Sequence, residues 1–248
     1  MSDFVSILHP LSASADINSK FETLISNFTA DTGEEGVFQL SGAGIATVVV
    51  LMILLIAIAI LLRPKKQLTA KTATKQLVFS GVAMALALVT SEIKFARLPM
   101  GGSITLFSML FVVLIGYWYG AKAGLLTGFA YGLLQFVLDP VFYSPWQLLV
   151  DYPLAFGALG LSGFFSSKKQ GLLIGYIVGV LGRYAFAVLS GGIFFYAYAP
   201  TQTTAGILAY TFSYNATYIV PEAVVTVIVL AIPAVRNALI KVKKLAAE

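Results

Sequence analysis

Nineteen residues without a charge, Gly44–Leu62, run straight into Arg63-Pro64-Lys65-Lys66. A run of that length can cross a bilayer as a helix, and a basic cluster against its end stays in the cytoplasm. The same alternation recurs along the chain. Apolar stretches cover about 77–93, 104–119, 125–138, 145–165, 171–189 and 207–235, separated by short polar or basic turns. Only 11% of the 248 residues are charged, and mean hydropathy is +0.89. Soluble domains carry about a quarter charged residues. In lipid a backbone must satisfy its own polar groups, so uncharged runs of this length read as helices. The expected fold class is an all-α integral membrane protein. The formal charge of +5 calls for no nucleic-acid partner, because the basic residues fall where membrane topology places them.

Several chemistries are excluded by residue count. There is no cysteine, so neither a disulfide nor a thiolate metal site can form. The one histidine, His9, lies in a polar N-terminal stretch. A His-based triad and a multi-His metal site are therefore excluded, and no metal or cofactor is expected. No Gly-x-x-x-x-Gly-Lys-Ser/Thr motif occurs, so this chain carries no P-loop ATPase.

Charge placement gives the expected topology. Residues 1–43 form a polar, acidic tail without the basic start and early apolar run of a signal peptide. Residues 44–66 form an added anchor with its basic flank, 77–235 a six-helix core, and 236–248 a basic cytoplasmic tail. With the N-terminus outside and the C-terminus inside, Arg63, Lys65, Lys66, Lys71, Lys75, Lys122, Lys168, Lys169, Arg236, Lys241, Lys243 and Lys244 all face the cytoplasm. That is twelve of the sixteen basic residues. A multi-pass protein of a bacterial cell membrane is expected. In the first core span, Ala83 and Ala87 have small-xxx-small spacing, suited to close helix packing within this chain or against another subunit.

Three ionisable residues lie well inside spans: Asp151, Arg183 and Glu222. Such a charge costs about 2.5–3.5 kcal/mol on insertion scales unless a partner, water or a ligand offsets it. Asp151 and Arg183 fall at similar depths, so they either pair structurally or at least one faces a solute. Glu222 lies deeper, after Pro221, which frees a carbonyl in the preceding turn. Tyr210, Tyr214, Asn215 and Tyr218 share one side of the last span. The tyrosines can stack on a flat ring or a cation, or form an interfacial belt. Asn215 offers an amide edge to a heterocycle.

Residues 77–235 resemble the thiamine-binding S component of the energy-coupling-factor vitamin transporters. The match rests on Pro99-Met100-Gly101-Gly102-Ser103-Ile104-Thr105-Leu106, Tyr131-Gly132-Leu133-Leu134-Gln135, Leu149-Val150-Asp151-Tyr152-Pro153-Leu154-Ala155-Phe156, Leu159-Gly160-Leu161-Ser162-Gly163, and Tyr198-Ala199-Pro200 followed by Tyr210 and Asn215. The resemblance implies a six-helix S-component bundle, here preceded by one additional N-terminal transmembrane helix. It implies a vitamin pocket near the outer face and docking to a membrane transmembrane subunit and two cytoplasmic ATPases. It assigns substrate contacts to Asp151, Tyr152, Gly191, Phe195, Tyr210 and Asn215, and partner docking to Ala83 and Ala87. It makes 95–103 a lid. A histidine of the family is replaced here by Ala187, and Glu222 has no counterpart in the family pattern.

Three functions are weighed on these residues. The first is the substrate-binding subunit of an ATP-driven importer for thiamine, a thiamine precursor or another vitamin. The second is an intramembrane enzyme using Asp151 and Glu222 as an acid–base pair. The third is a stand-alone secondary transporter, against which no internal repeat is visible.

Overall fold

The computed structural model describes residues 29–31, 38–40, 42–43, 46, 70–143, 145–201 and 203–247. The expected anchor span at 44–62 lies outside the described residues, apart from Ala46. Ahead of it, Thr29–Asp31 and Phe38–Leu40 pair as a short antiparallel hairpin, β1 and β2.

The bundle begins with α1, Ala70–Ser91, then a hairpin of β3 (Ala96–Arg97) and β4 (Ser103–Ile104) around a 3-10 turn, Pro99–Gly101. Helices α2 (Ser108–Tyr119) and α3 (Ala121–Leu138) follow. The stretch 145–165, called α4 here, is a composite. An α segment, Pro145–Leu149, opens into a π turn, Val150–Leu154, and continues through Ala155–Gly157 into a 3-10 run, Ala158–Phe165. Helix α5 is Gly171–Phe194, α6 is Thr204–Ala231 and α7 is Pro233–Ala247. Among the described residues, five helical segments are long and apolar enough to cross a membrane. They fall on the expected spans at 77–93, 125–138, 145–165, 171–189 and 207–235.

The expected span 104–119 is shorter than the sequence suggests. Its first residue, Ile104, belongs to β4, residues 105–107 form a connecting loop, and α2 has 12 residues, about 18 Å of helix. Such a helix is too short to span a hydrocarbon core of about 30 Å alone. It serves instead as the central post: nine of its residues are buried, and α1, α3, α4 and α5 all pack on it.

The last expected span also divides. Pro233 forces Ile232 into an extended conformation (φ −67°, ψ 118°), which ends α6. The basic tail beyond it is helical. On α7, Val235, Leu239, Val242 and Ala246 turn inward while Arg236, Lys241 and Lys244 stay exposed. Lys243 lies 3.8 Å over the Tyr117 ring and donates to the Ser166 carbonyl. Partial burial lowers its pKa below the usual lysine value.

The irregularity of α4 has a sequence cause. Pro153 has no N–H to give the Leu149 carbonyl, and its ring collides with that carbonyl in a regular helix. The turn widens, and Ala155 N–H bonds back to the Val150 carbonyl. Helix α3 fits against this bulge through Gly132. A Cβ on Gly132 would stand 2.3 Å from the Tyr152 carbonyl oxygen, a backbone atom with no room to retreat. Gly132→Ala is therefore expected to force α3 from α4 and cost about 1–3 kcal/mol. Thermal unfolding of the purified variant in detergent measures that loss.

Candidate functional site

The bulge positions Asp151 and Tyr152 on the wall of a cavity at the end of the bundle carrying the β3–β4 hairpin. The cavity encloses about 970 Å³ of empty space, its mouth included. Asp151, Tyr152, Gly191, Phe195, Tyr210 and Asn215 all border it. The structure thus brings together six residues spread over more than sixty positions. The hairpin contributes Gly101, Gly102 and Ser103, and Ala187 leaves its stretch of wall without a long side chain.

Asp151 carries the one carboxylate of the wall without a cation beside it among the described residues. The other, Asp139, is paired with Lys94 at 2.6 Å. Asp151 Oδ2 accepts a hydrogen bond from Gln147 Nε2 at 2.6 Å. The pairing with Arg183 considered from depth does not occur. Arg183 also borders the cavity, but its guanidinium lies over the Phe156 ring, 4.1 Å from the centroid. Phe156 stands further along α4 and takes the cation, while Asp151 is held on the Gln147 side. A negative charge in this polar-and-aromatic recess would pair with a cation placed beside it. At about 4 Å and an effective dielectric near 20, such a pair gains about 4 kcal/mol before desolvation.

Two of the expected polar contacts are already engaged. The Tyr152 hydroxyl donates to the Asp139 carbonyl at 2.9 Å and accepts from Val141 N–H at 2.9 Å. It pins loop 139–143, and its ring meets Phe136 edge-on at 5.1 Å. Asn215 Nδ2 donates to the Thr211 and Ala187 carbonyls at 2.8 and 3.3 Å. Its Oδ1 accepts from Tyr218 at 2.6 Å. The amide that looked free to read a heterocycle instead fastens α6 to α5 and orients Tyr218. Gly191 permits that closeness: a Cβ there would meet Thr211 Cγ2 at 3.0 Å.

The aromatic wall is a ladder on α6. Tyr210 stacks on Tyr214 at 5.7 Å, and Tyr214 meets Tyr218 edge-on at 5.9 Å. Phe195 faces them from the end of α5, backed by Tyr143 at 5.7 Å. Tyr214 also holds the hairpin: its hydroxyl donates to the Pro99 carbonyl and accepts from Gly102 N–H at 3.1 Å.

Glu222 does not border the cavity. It is 2% exposed and accepts from Thr105 Oγ1 at 2.5 Å, Ser108 Oγ at 3.0 Å and Met109 N–H at 2.9 Å. It caps the N-terminus of α2 from another helix, where free N–H groups and the helix dipole favour a carboxylate. The polar surroundings expected from Pro221 come instead from α2. An Asp151–Glu222 acid–base pair has no geometric support.

Ala83 and Ala87 are 5% and 0% exposed and pack within this chain. Within its apolar stretch α1 turns Gly81 and Ala85 outward, with the same four-residue spacing, among exposed Val78, Val82, Leu86 and Val89. The sequence reading missed Gln147, the Lys94–Asp139 pair and Thr105. For Gln147 a signal was present: an amide four residues before Asp151, inside an apolar run, shares its helix face.

A helical membrane bundle with a polar-and-aromatic cavity at one end defines a small-solute membrane protein. The model of the thiamine transporter protein family matches residues 77–242, and the chain belongs to that family. It is 42% identical over 150 residues to the thiamine transporter ThiT of Bacillus subtilis, covering 55% of this chain and 77% of that one. It is 26% identical over 123 residues to ThiT of Lacticaseibacillus paracasei, covering 43% and 60% respectively. The solved structure of ThiT from Listeria monocytogenes has a TM-score of 0.48 at 22% identity, over 66% of this chain and 96% of that one.

Proposed function

We propose that this chain is the substrate-binding membrane subunit of an ATP-driven vitamin importer, and that it captures thiamine in the cavity described above. The observation that carries this reading is the carboxylate of Asp151, with no cation beside it among the described residues, set among tyrosines and Phe195. Thiamine offers a permanent thiazolium cation and a flat aminopyrimidine, which match a buried carboxylate and stacking faces. Membership of the thiamine transporter family supports the same ligand. In this proposal partner subunits supply the energy, and this chain, which carries no P-loop motif, supplies the binding site. The cavity faces outward in this reading, because Lys168, Lys169 and the α7 cations mark the other end as cytoplasmic. Docking to the partner membrane subunit uses the exposed face of α1 around Gly81 and Ala85, in place of Ala83 and Ala87.

Uptake of labelled thiamine tests the whole assignment. Cells making this chain with a coupling subunit and its ATPases accumulate thiamine. Cells making it alone bind thiamine without accumulating it. Accumulation by the chain alone would make it a self-sufficient transporter. The β3–β4 hairpin acts as the lid, and Tyr214 is its latch. Tyr214→Phe removes two hydrogen bonds, each worth about 1 kcal/mol, so thiamine should dissociate about fivefold to thirtyfold faster. Stopped-flow chase with unlabelled thiamine reads that rate.

A further inference from the structure

Gln147 lies one turn before Asp151 on α4 and is 0% exposed. It does not border the cavity. Its Nε2 donates to Asp151 Oδ2 at 2.6 Å and to the Val141 carbonyl at 3.1 Å. Its Oε1 accepts from Tyr143 N–H at 2.9 Å. Tyr143 in turn backs Phe195. One buried amide therefore touches the carboxylate, the loop at the cavity mouth and, through that loop, the aromatic wall.

The choice of an amide has a chemical consequence. A lysine or arginine at 147 would hold the carboxylate equally well and neutralise it, leaving an incoming cation no counter-charge. An aliphatic residue would leave the charge intact but remove the amide donor, leaving the Ser190 hydroxyl as the remaining side-chain donor beside the carboxylate. A neutral donor alone fixes the direction of the oxygens and preserves the charge. We propose that Gln147 is a positioning residue for ligand capture. It aims the Asp151 carboxylate into the cavity, keeps its charge available to a cationic ligand, and ties it to loop 139–143. This rests on the reading of Asp151 as the ligand's counter-charge.

A double-mutant cycle on the full-length chain in detergent tests it, with thiamine affinity measured by calorimetry for wild type, Gln147→Met, Asp151→Asn and the double variant. Methionine keeps the length and removes both the donor and the acceptor. Gln147→Met should weaken binding about tenfold to a hundredfold, as loss of a hydrogen bond to a charged group does. The double variant should bind no more weakly than Asp151→Asn, within about twofold, because Gln147 acts through that carboxylate. Additive losses would show that Gln147 merely braces the loop and would overturn the proposal, as would unaltered binding by Gln147→Met. Unaltered binding by Asp151→Asn would overturn the counter-charge reading itself, a separate and recognisable outcome. If Gln147→Met does not fold, Gln147→Asn, whose amide is withdrawn by one methylene, takes its place in the cycle.

Discussion

Asp151→Asn is expected to weaken thiamine binding by about a hundredfold or more while leaving the fold intact. Asparagine has nearly the same shape and can still hydrogen-bond Gln147, so the wall of the cavity keeps its form. What disappears is the negative charge that faces the cavity without a cation among the described residues. Removing one partner of a desolvated charge pair costs about 2–5 kcal/mol, and 2.7 kcal/mol is about a hundredfold in Kd. Arg183 strengthens the expectation. With Asp151 neutral, the cavity wall retains an arginine whose guanidinium rests on Phe156 rather than on a carboxylate. The local field then repels a thiazolium. Calorimetric titration, with melting temperature as the folding control, separates lost affinity from lost protein.

Glu222→Ala should produce the largest stability loss, about 3 kcal/mol or more. The substitution strands Met109 N–H and the Ser108 and Thr105 hydroxyls in a buried site, and it opens a cavity where the carboxylate stood. Breaking a buried charged interaction by removing one partner typically costs about 3–5 kcal/mol. Glu222→Gln retains an acceptor and should lose less than half as much. The ratio of the two losses, from thermal unfolding, distinguishes a cap from a packing contact: equal losses would mean the carboxylate oxygens do not matter. Both variants should also loosen the hairpin, because Thr105 follows β4 directly.

The architecture was legible because it depends on local composition. Uncharged runs between basic turns place helices wherever they occur, and five of the expected spans coincide with segments long enough to cross a membrane. Proline signals were equally local, but only Pro221 entered the sequence reading as one. Pro233 ends α6, and Pro153 opens the π turn that presents Asp151. Gathering the site residues required the family resemblance, because no periodicity brings Asp151 beside Phe195.

What stayed hidden was pairing over long separations. Glu222 finds Thr105 from 117 positions away, so its partner could not be inferred from its own neighbourhood. Asp151 and Arg183 lie at matching depths, yet depth along two helices does not fix the direction each faces. Ala83 and Ala87 show the same limit. Spacing reveals that small residues share a stripe, while the position of α2 decides that this stripe faces inward. Tyr152 and Asn215 border the cavity, but the Tyr152 hydroxyl is taken up by the backbone of loop 139–143 and the Asn215 amide by the Thr211 and Ala187 carbonyls of α6 and α5.

The proposed counter-charge for thiamine is the Asp151 carboxylate, which has no cation beside it among the described residues. Calorimetric titration of the purified wild-type chain with thiamine tests it most directly, with Asp151→Asn run alongside. Saturable one-to-one binding at micromolar concentration or below is expected, with a loss of about a hundredfold or more in the variant. Absence of binding by folded wild-type protein, or equal affinity in the two proteins, would contradict it.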